Sequence, residues 1–315
     1  MSIRSQIIGV GSYLPERKIS NHELSQTVDT THEWIVERTG IEFRHFASHD
    51  QKASDLATAA AQEALHNAGI KPSEIDLIVV ATSTPDDNTF PSTAVSVQAK
   101  LGCNNAFAFD VSAVCSGYLV ALSTADNYLR TGQAKTALVI GAEKLSGILD
   151  MEDRRTCVLF GDGAGAVILR AEETDDERGV LGVYMHSDGQ FRDILHLNDK
   201  CVISMEGKEV FRHAVNKLTE SALAILAKHQ ITCEDIDWFI PHQANVRIIN
   251  AIAQKLNLPQ EKIIVTVDQH ANTSAASIPL ALTHAIKTGR VKRGDLILHE
   301  AIGAGLVWGS ALVRY

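Results

Sequence analysis

The chain has 315 residues, 45% of them hydrophobic, and a formal net charge of −9 at pH 7. That composition supports a large core, arranged as two domains or as one body built from two halves. It excludes a general nucleic-acid or anionic-membrane binder, because such surfaces are held by clustered Lys and Arg. Five cysteines, at 103, 115, 157, 201 and 233, are odd in number and form no CxxC pair, so a disulfide framework does not fit and a reducing, cytoplasmic setting is expected.

The opening MSIRSQIIGVGSYLP has only a short apolar run before Gly and Pro, and no stretch approaches the roughly 18 apolar residues of a membrane span. Residues 54–68 (SDLATAAAQEALHNA) carry apolar side chains at helical spacing, Gly69 stops the helix, and IDLIVVATS follows as a continuously apolar strand. Next comes DVSAVCSGYL (110–119), a strand end running into the helical pattern SGYLVALSTADNYLR, and then a Thr131-Gly132 turn and a further strand ending GAE. Glycine-rich FGDGAG (160–165) lacks both the GxGxxG spacing and a Lys-Ser/Thr ending, so it reads as a tight turn rather than a phosphate cradle.

After a charged, aperiodic stretch at 171–209, the pattern repeats. VFRHAVNKLTESALAILAKH (210–229), the linker QITCEDID and the strand IDWFIPHQA match the first helix, GIKPSEID and IDLIVVATS at a shift of 161 residues. Thr288-Gly289 matches Thr131-Gly132 at a shift of 157. Two copies of one α/β unit follow from this. Alternating helices and apolar strands predict mainly parallel sheets, in layers of helix, sheet, helix, sheet and helix. The divisions are 1–170 for the first half, 171–209 for a connector or lid, and 210–315 for the second half.

The same shifts point to chemistry. Moved by 157 residues, Cys115 falls on Asn272, while His242 moved back by 161 falls on Ala81, so only the second copy has imidazole at that strand end. Open α/β sheets place ligands at the C-terminal ends of strands, and a pseudo-twofold axis brings Cys115, His242 and Asn272 to one centre. A cysteine at a helix N-terminus is expected to have a lowered pKa. Taken singly, Cys115 reads rather as a small core residue, His242 as a strand-end histidine and Asn272 as a turn or cap residue, and it is their coincidence at repeat-related corners that favours the nucleophilic reading. No zincin helix exists, because His22-Glu23, His32-Glu33 and His299-Glu300 are followed by Gln26, Val36 and Gly303 where a second His is required.

THEWIVERTGI (31–41), DVSAVCSGY (110–118), FGDGAGA (160–166), PHQANVRI (241–248), NTSAASIP (272–279) and GLVWGSALVRY (305–315), in this order and spacing, resemble β-ketoacyl-acyl-carrier-protein synthase III. These are the condensing enzymes of the thiolase superfamily that begin bacterial fatty-acid synthesis. The resemblance implies a thiolase-like α/β fold of two duplicated halves in five layers, a homodimer, and a Cys115-His242-Asn272 triad. Cys115 would accept acetyl from acetyl-CoA, and His242 and Asn272 would support decarboxylation of malonyl-acyl-carrier protein, with no cofactor beyond the CoA thioester substrates.

It further implies an oxyanion hole from the backbone N–H groups of Cys115 and Ala304, the latter standing where glycine is usual. CoA contacts fall to Trp34, Arg38, Arg154 and Arg247, with Arg155 a neighbouring choice. Phe90 would reach across the dimer and shorten the acyl pocket, and Arg212, Lys217, Arg247 and Lys255 would form a patch for acidic carrier protein. Three rivals remain at this stage: a cysteine hydrolase, since papain-like enzymes also use Cys, His and Asn in that chain order; a paralogous condensing enzyme with another acyl-CoA primer; and a non-catalytic acyl-CoA-binding protein.

Overall fold

The computed structural model describes residues 2–175 and 177–315. The strands are β1 (Ser2–Tyr13), β2 (Arg17–Ser20), β3 (Phe43–Phe46), β4 (Leu77–Ala81), β5 (Phe107–Val111), β6 (Thr136–Glu143), β7 (Gly163–Thr174), β8 (Gly179–Ser187), β9 (Leu195–Leu197), β10 (Ile203–Met205), β11 (Trp238–Phe239), β12 (Leu296–Gly303) and β13 (Val307–Arg314). The helices are α1 (Asn21–Leu24), α2 (His32–Thr39), α3 (Ala53–Ala68), α4 (Thr93–Leu101), α5 (Gly117–Arg130), α6 (Gly207–Lys228), α7 (Val246–Lys255), α8 (Val267–His270) and α9 (Ser277–Lys287). Among the described residues, no helix is long and apolar enough to cross a membrane.

One sheet has the order β1-β7-β6-β4-β5 and the other β11-β12-β13-β8. Helices α5 and α9 lie between them in one apolar cluster that includes side chains of both sheets. The outer face of the first sheet is covered by α3 and α4, and that of the second by α6 and α7. The five layers expected from the sequence are present. Helix α3 presents Leu56, Ala57, Ala60, Ala61, Ala64 and Leu65 along one buried stripe, and its alanines let β1 approach closely. A Cβ at Gly11 would sit 2.1 Å from the Ala60 carbonyl oxygen.

Two expectations need correction. The sheets are not mainly parallel: β4 pairs in parallel with β5 and β6, and β11 with β12, but β7, β1, β13 and β8 add antiparallel strands. An apolar run signals a strand buried on both faces, which a central antiparallel strand such as β7 also is, so the run does not report direction. Nor is 171–209 an irregular connector. It contains the end of β7 and all of β8, whose backbone pairs with β13 as an edge of the second sheet, and only the segment from 188 onward lies over the cavities described below.

The duplication holds, with a refined register at its most important point. Val114–Ser116 and Ser274–Ala276 are matching 3₁₀ turns, each leading straight into a central helix, and each begins with a residue at φ 48°. The relation there is 160 residues, so the counterpart of Cys115 is Ala275 rather than Asn272. The 157-residue relation is confined to the Thr-Gly turns, because α9 has 11 residues where α5 has 14. The loop before β12 restores the difference.

Each turn is covered by a strand of the opposite half. Gly141 of β6 passes the 274–276 turn so closely that a Cβ would lie 2.1 Å from the Ala275 carbonyl oxygen. Gly303 of β12 passes the other turn, where a Cβ would lie 2.6 Å from the Ala113 carbonyl oxygen and 2.9 Å from the Cys115 nitrogen. Gly141→Ala is expected to destabilise by about 3 kcal/mol or more, because backbone and not a flexible side chain stands in the way. Urea denaturation checks this, and an unchanged midpoint would show that the two halves can separate at no cost.

Candidate active site

Cys115 occupies the middle of its 3₁₀ turn at the N-terminus of α5, behind Val114. A β-branched residue at positive φ is strained, by about 1–3 kcal/mol, and the surrounding packing of Gly303 and the 274–276 turn holds it there. The sulfur lies where two cavities meet. One, of about 160 Å³, is lined by His242, Asn272, Asn245 and Ile302. The other, of about 240 Å³, is lined by Ser83, Leu145, Ile148, Ile203, Ser274 and Ala304. Phe160 and Leu195 border both.

Cys115, His242 and Asn272 are thus brought to the wall of one cavity. His242 is held at the end of β11, where its N–H donates to the Glu300 carbonyl at 2.7 Å. Its Nδ1 lies 2.6 Å from Ser277 Oγ, and that oxygen also accepts the Gln243 N–H at 3.3 Å. A Ser277 hydroxyl that donates to Nδ1 leaves the imidazole proton on Nε2. Burial lowers the His242 pKa to about 3, so the ring is neutral. Asn272 is fixed similarly: the Ser274 N–H donates to its Oδ1 at 2.9 Å, which turns the NH₂ group away as a free donor.

In the first half, Gly117 occupies the position of Ser277 and Ala81 that of His242. A Cβ at Gly117 would meet the Ala81 Cβ at 3.0 Å. The imidazole and its serine partner thus stand where the first half has a close alanine-glycine contact.

The thiol does not follow the expectation of a lowered pKa. Burial pushes it up to about 12, with the Glu143 carboxylate raising it further, against lowering by the Ser274 hydroxyl and the cysteine's own backbone N–H. The helix N-terminus was legible in the sequence, but the dry surroundings were not. Ala304, placed by resemblance in an oxyanion hole, lines the larger cavity beside Cys115. It is not among the residues with positive φ, so its methyl group costs no backbone strain.

A third, open depression is lined by Trp34, Arg38, Arg154, Arg155, Lys208 and Arg247, and it shares Met205, Phe211 and Asn245 with the His242 cavity. Arg38 stacks on the Trp34 ring at 4.6 Å and Arg154 at 5.4 Å. Arg155 is instead paired with Asp153 through two of its guanidinium nitrogens, which separates the two neighbouring arginines. Lys208 has no signal in the sequence beyond its charge. Among the described residues, no group of three or more His, Cys, Asp or Glu is arranged to hold a metal ion.

The comparisons agree with this geometry. Residues 109–189 match the family described as 3-oxoacyl-[acyl-carrier-protein (ACP)] synthase III, and residues 226–315 match its C-terminal part. The chain is 55% identical to beta-ketoacyl-[acyl-carrier-protein] synthase III of Ehrlichia canis, over 99% of both chains. It is 56% identical to that of Paramagnetospirillum magneticum, over 100% of both. The solved 3-oxoacyl-[acyl-carrier-protein] synthase III of Aquifex aeolicus superposes with a TM-score of 0.96 at 50% identity, covering 99% of this chain and 100% of that one. The chain belongs to the β-ketoacyl-acyl-carrier-protein synthase III family. It is an acyl-transferring condensing enzyme with a thiolase-like fold, and the hydrolase and non-catalytic readings fall away.

Other residues implied by that family are dispersed. Phe90 is 82% exposed and lines none of the described cavities of its own chain. Arg212 pairs with Glu209, Lys217 lies over Trp308 at 4.0 Å and Lys255 binds Asn216 Oδ1. Of that group, Arg247 alone lines the open depression. Ser274, Ser277 and Glu143 escaped the sequence reading, although both serines lie inside the quoted NTSAASIP.

The His242 ring is expected to show a single Nε2–H tautomer by ¹⁵N NMR and no titration between pH 8 and pH 5. Ser277→Ala should mix the tautomers. Titration of the wild-type ring near its ordinary value of 6.5 would overturn the assignment.

Proposed function

We propose that this synthase condenses acetyl-CoA with malonyl-acyl-carrier protein, giving acetoacetyl-acyl-carrier protein, CoA and CO₂, through an acetyl-Cys115 intermediate. The observation that carries the reading is the position of Cys115 at the junction of two cavities, with both neutral donors, His242 Nε2–H and Asn272 Nδ2–H, on one side only. The cavity toward Ser83, Leu145 and Ile148 would take the acyl group. The His242 cavity would take pantetheine and then the malonyl thioester, entering from the Trp34 depression, where Trp34, Arg38, Arg154 and Arg247 suit an adenine nucleotide with phosphates.

In the first half-reaction the Cys115 sulfur attacks the acetyl carbonyl. The oxyanion is held by the Cys115 and Ala304 N–H groups, and CoA thiolate leaves. In the second, loss of CO₂ from the malonyl thioester moves an electron pair toward its carbonyl oxygen. Two fixed donors there stabilise the enolate without taking up charge. The carbanion attacks the acetyl thioester and frees Cys115. A histidine whose pKa is lowered to about 3 suits donation and is a poor proton acceptor.

The reading includes a homodimer formed along β5. That strand is an edge of the first sheet, and Phe107 on it is 57% exposed, as is Phe90 nearby, which would complete the partner's acyl cavity. Carrier protein would dock at Arg247 and the basic residues of α6 and α7, with Arg212, Lys217 and Lys255 as the outer members. The enzyme would act in the cytoplasm without a cofactor. A priming β-ketosynthase of the R1128 polyketide pathway superposes with a TM-score of 0.92 at 35% identity, so condensation with a different acyl-CoA primer, as in secondary metabolism, is the second reading.

Incubation with acetyl-CoA alone should add one acetyl group to Cys115, read by mass spectrometry, and malonyl-acyl-carrier protein should clear it. Labelling that survives Cys115→Ser on Cys103 or Cys157 would overturn the assignment. His242→Ala and Asn272→Ala should each slow CO₂ release about 100- to 1000-fold while Cys115 still acetylates. Trp34→Ala should weaken CoA binding by calorimetry roughly tenfold, in line with lost stacking and cation–π contact.

A further inference from the structure

Arg44 of β3 carries a charge into the interior that no step of the acyl-transfer reading uses. It is fully buried, and no carboxylate among the described residues faces it. Burial lowers its pKa to about 10, so the guanidinium is charged at neutral pH. A buried cation without an anion is destabilising, and its hydrogen bonds go to neutral oxygens. Nη1 donates to Asn21 Oδ1 at 2.7 Å, with the Ile19 carbonyl at 3.5 Å, and Nη2 donates to the Val158 carbonyl at 3.0 Å. Asn21 is equally buried, and its Nδ2 donates to the Ile41 carbonyl at 2.7 Å. The guanidinium therefore ties the Val158 carbonyl to a fixed point at Asn21.

Val158 begins the segment that carries Asn272. Phe160 and Asn272 form an isolated parallel bridge. In it the Asn272 N–H donates to the Leu159 carbonyl at 2.9 Å, and the Gly161 N–H donates to the Asn272 carbonyl at 3.0 Å. The stem of Arg44 packs on the far end of the same segment: a Cβ at Gly161 would lie 3.2 Å from the Arg44 Cβ and 3.0 Å from the His270 carbonyl oxygen. Arg44 thus grips residue 158 with its guanidinium and rests on residue 161 with its stem, and the two backbone groups that clasp Asn272 lie within that span. The Asn272 side chain itself is held at Oδ1 by the Ser274 N–H, so the place of its NH₂ group depends on where its backbone is fixed.

We propose that Arg44 is a positioning residue for the condensation: by fixing segment 158–161 it holds the backbone of Asn272, and with it the Nδ2–H donor, where the malonyl thioester oxygen gains charge. A donor displaced from that place loses much of its effect on the developing oxyanion. Cys115 takes its position from another contact, the close approach of Gly303 to its turn. The acetyl step therefore does not depend on Arg44, and the decarboxylation step does.

The proposal rests on the reading of Asn272 as a donor to the malonyl thioester, and a double-mutant cycle tests the two separately. Wild type, Arg44→Met, Asn272→Ala and the double variant are first acetylated with saturating acetyl-CoA, and the rate is read by mass spectrometry. Malonyl-acyl-carrier protein is then added and CO₂ release is followed per acetylated enzyme, so that misfolded protein does not count. Arg44→Met keeps the stem on Gly161 and removes the guanidinium. It should acetylate at close to the wild-type rate and release CO₂ about 10- to 100-fold more slowly. In the Asn272→Ala background the same change should alter CO₂ release by less than about twofold, because the donor it positions is gone.

Equal slowing in both backgrounds, acetylation slowed as much as CO₂ release, or unchanged CO₂ release in Arg44→Met would overturn the positioning role. If Arg44→Met yields no protein that can be acetylated, Arg44→Lys takes its place in the cycle. It keeps the charge and one donor, and should give a smaller loss with the same dependence on Asn272. Wild-type CO₂ release by Asn272→Ala alone would overturn the donor reading, and the role of Arg44 with it.

Discussion

Two tight turns set against each other's half of the molecule are the constraint on which the rest depends. Val114 and Ser274 both adopt φ 48°, and each turn delivers a central helix into the space between the sheets. Neither conformation is favourable for its residue, Val114 least of all. They persist because Gly303 and Gly141 bring the strand of the opposite half against each turn with no room for a side chain. The same packing leaves Cys115 at a helix N-terminus, buried, and between two cavities.

Desolvation governs the chemistry of that location. It drives the thiol up, the imidazole down and the Glu143 carboxyl up, all toward their neutral forms. Favourable helix-dipole placement alone does not overcome this for Cys115. The protein answers with neutral hydrogen-bond partners: Ser277 for His242, the Ser274 N–H for Asn272, and the hydroxyls of Ser83 and Thr84 for Glu143. Such groups orient the reacting atoms without adding charge, so little reorganisation is needed as charge develops.

Duplication explains why the site is single although the fold is double. The first half has Cys115 where the second has Ala275, and the second has His242 with Ser277 where the first has Ala81 with Gly117. Each exchange is local, and in the first half Gly117 packs close against Ala81, where an added Cβ would lie 3.0 Å from the alanine Cβ. Asn272 has no catalytic counterpart in the first half. The proposed centre is therefore drawn from both halves, with Cys115 from one and His242 and Asn272 from the other.

The sequence by itself determined the layers, the duplication, the family and the identities of Cys115, His242 and Asn272. These follow from apolar periodicity, glycine stops and short motifs, which are local properties of the chain. Strand direction, the 160-residue equivalence of the two turns and the role of β8 were decided only by tertiary structure. So was the burial that lowers the pKa of His242 and raises that of Cys115. Each depends on which groups from distant positions, such as Ser277, Asp153, Glu143 and Gly303, come within a few ångströms and exclude water, and spacing along the chain encodes neither contact nor solvent.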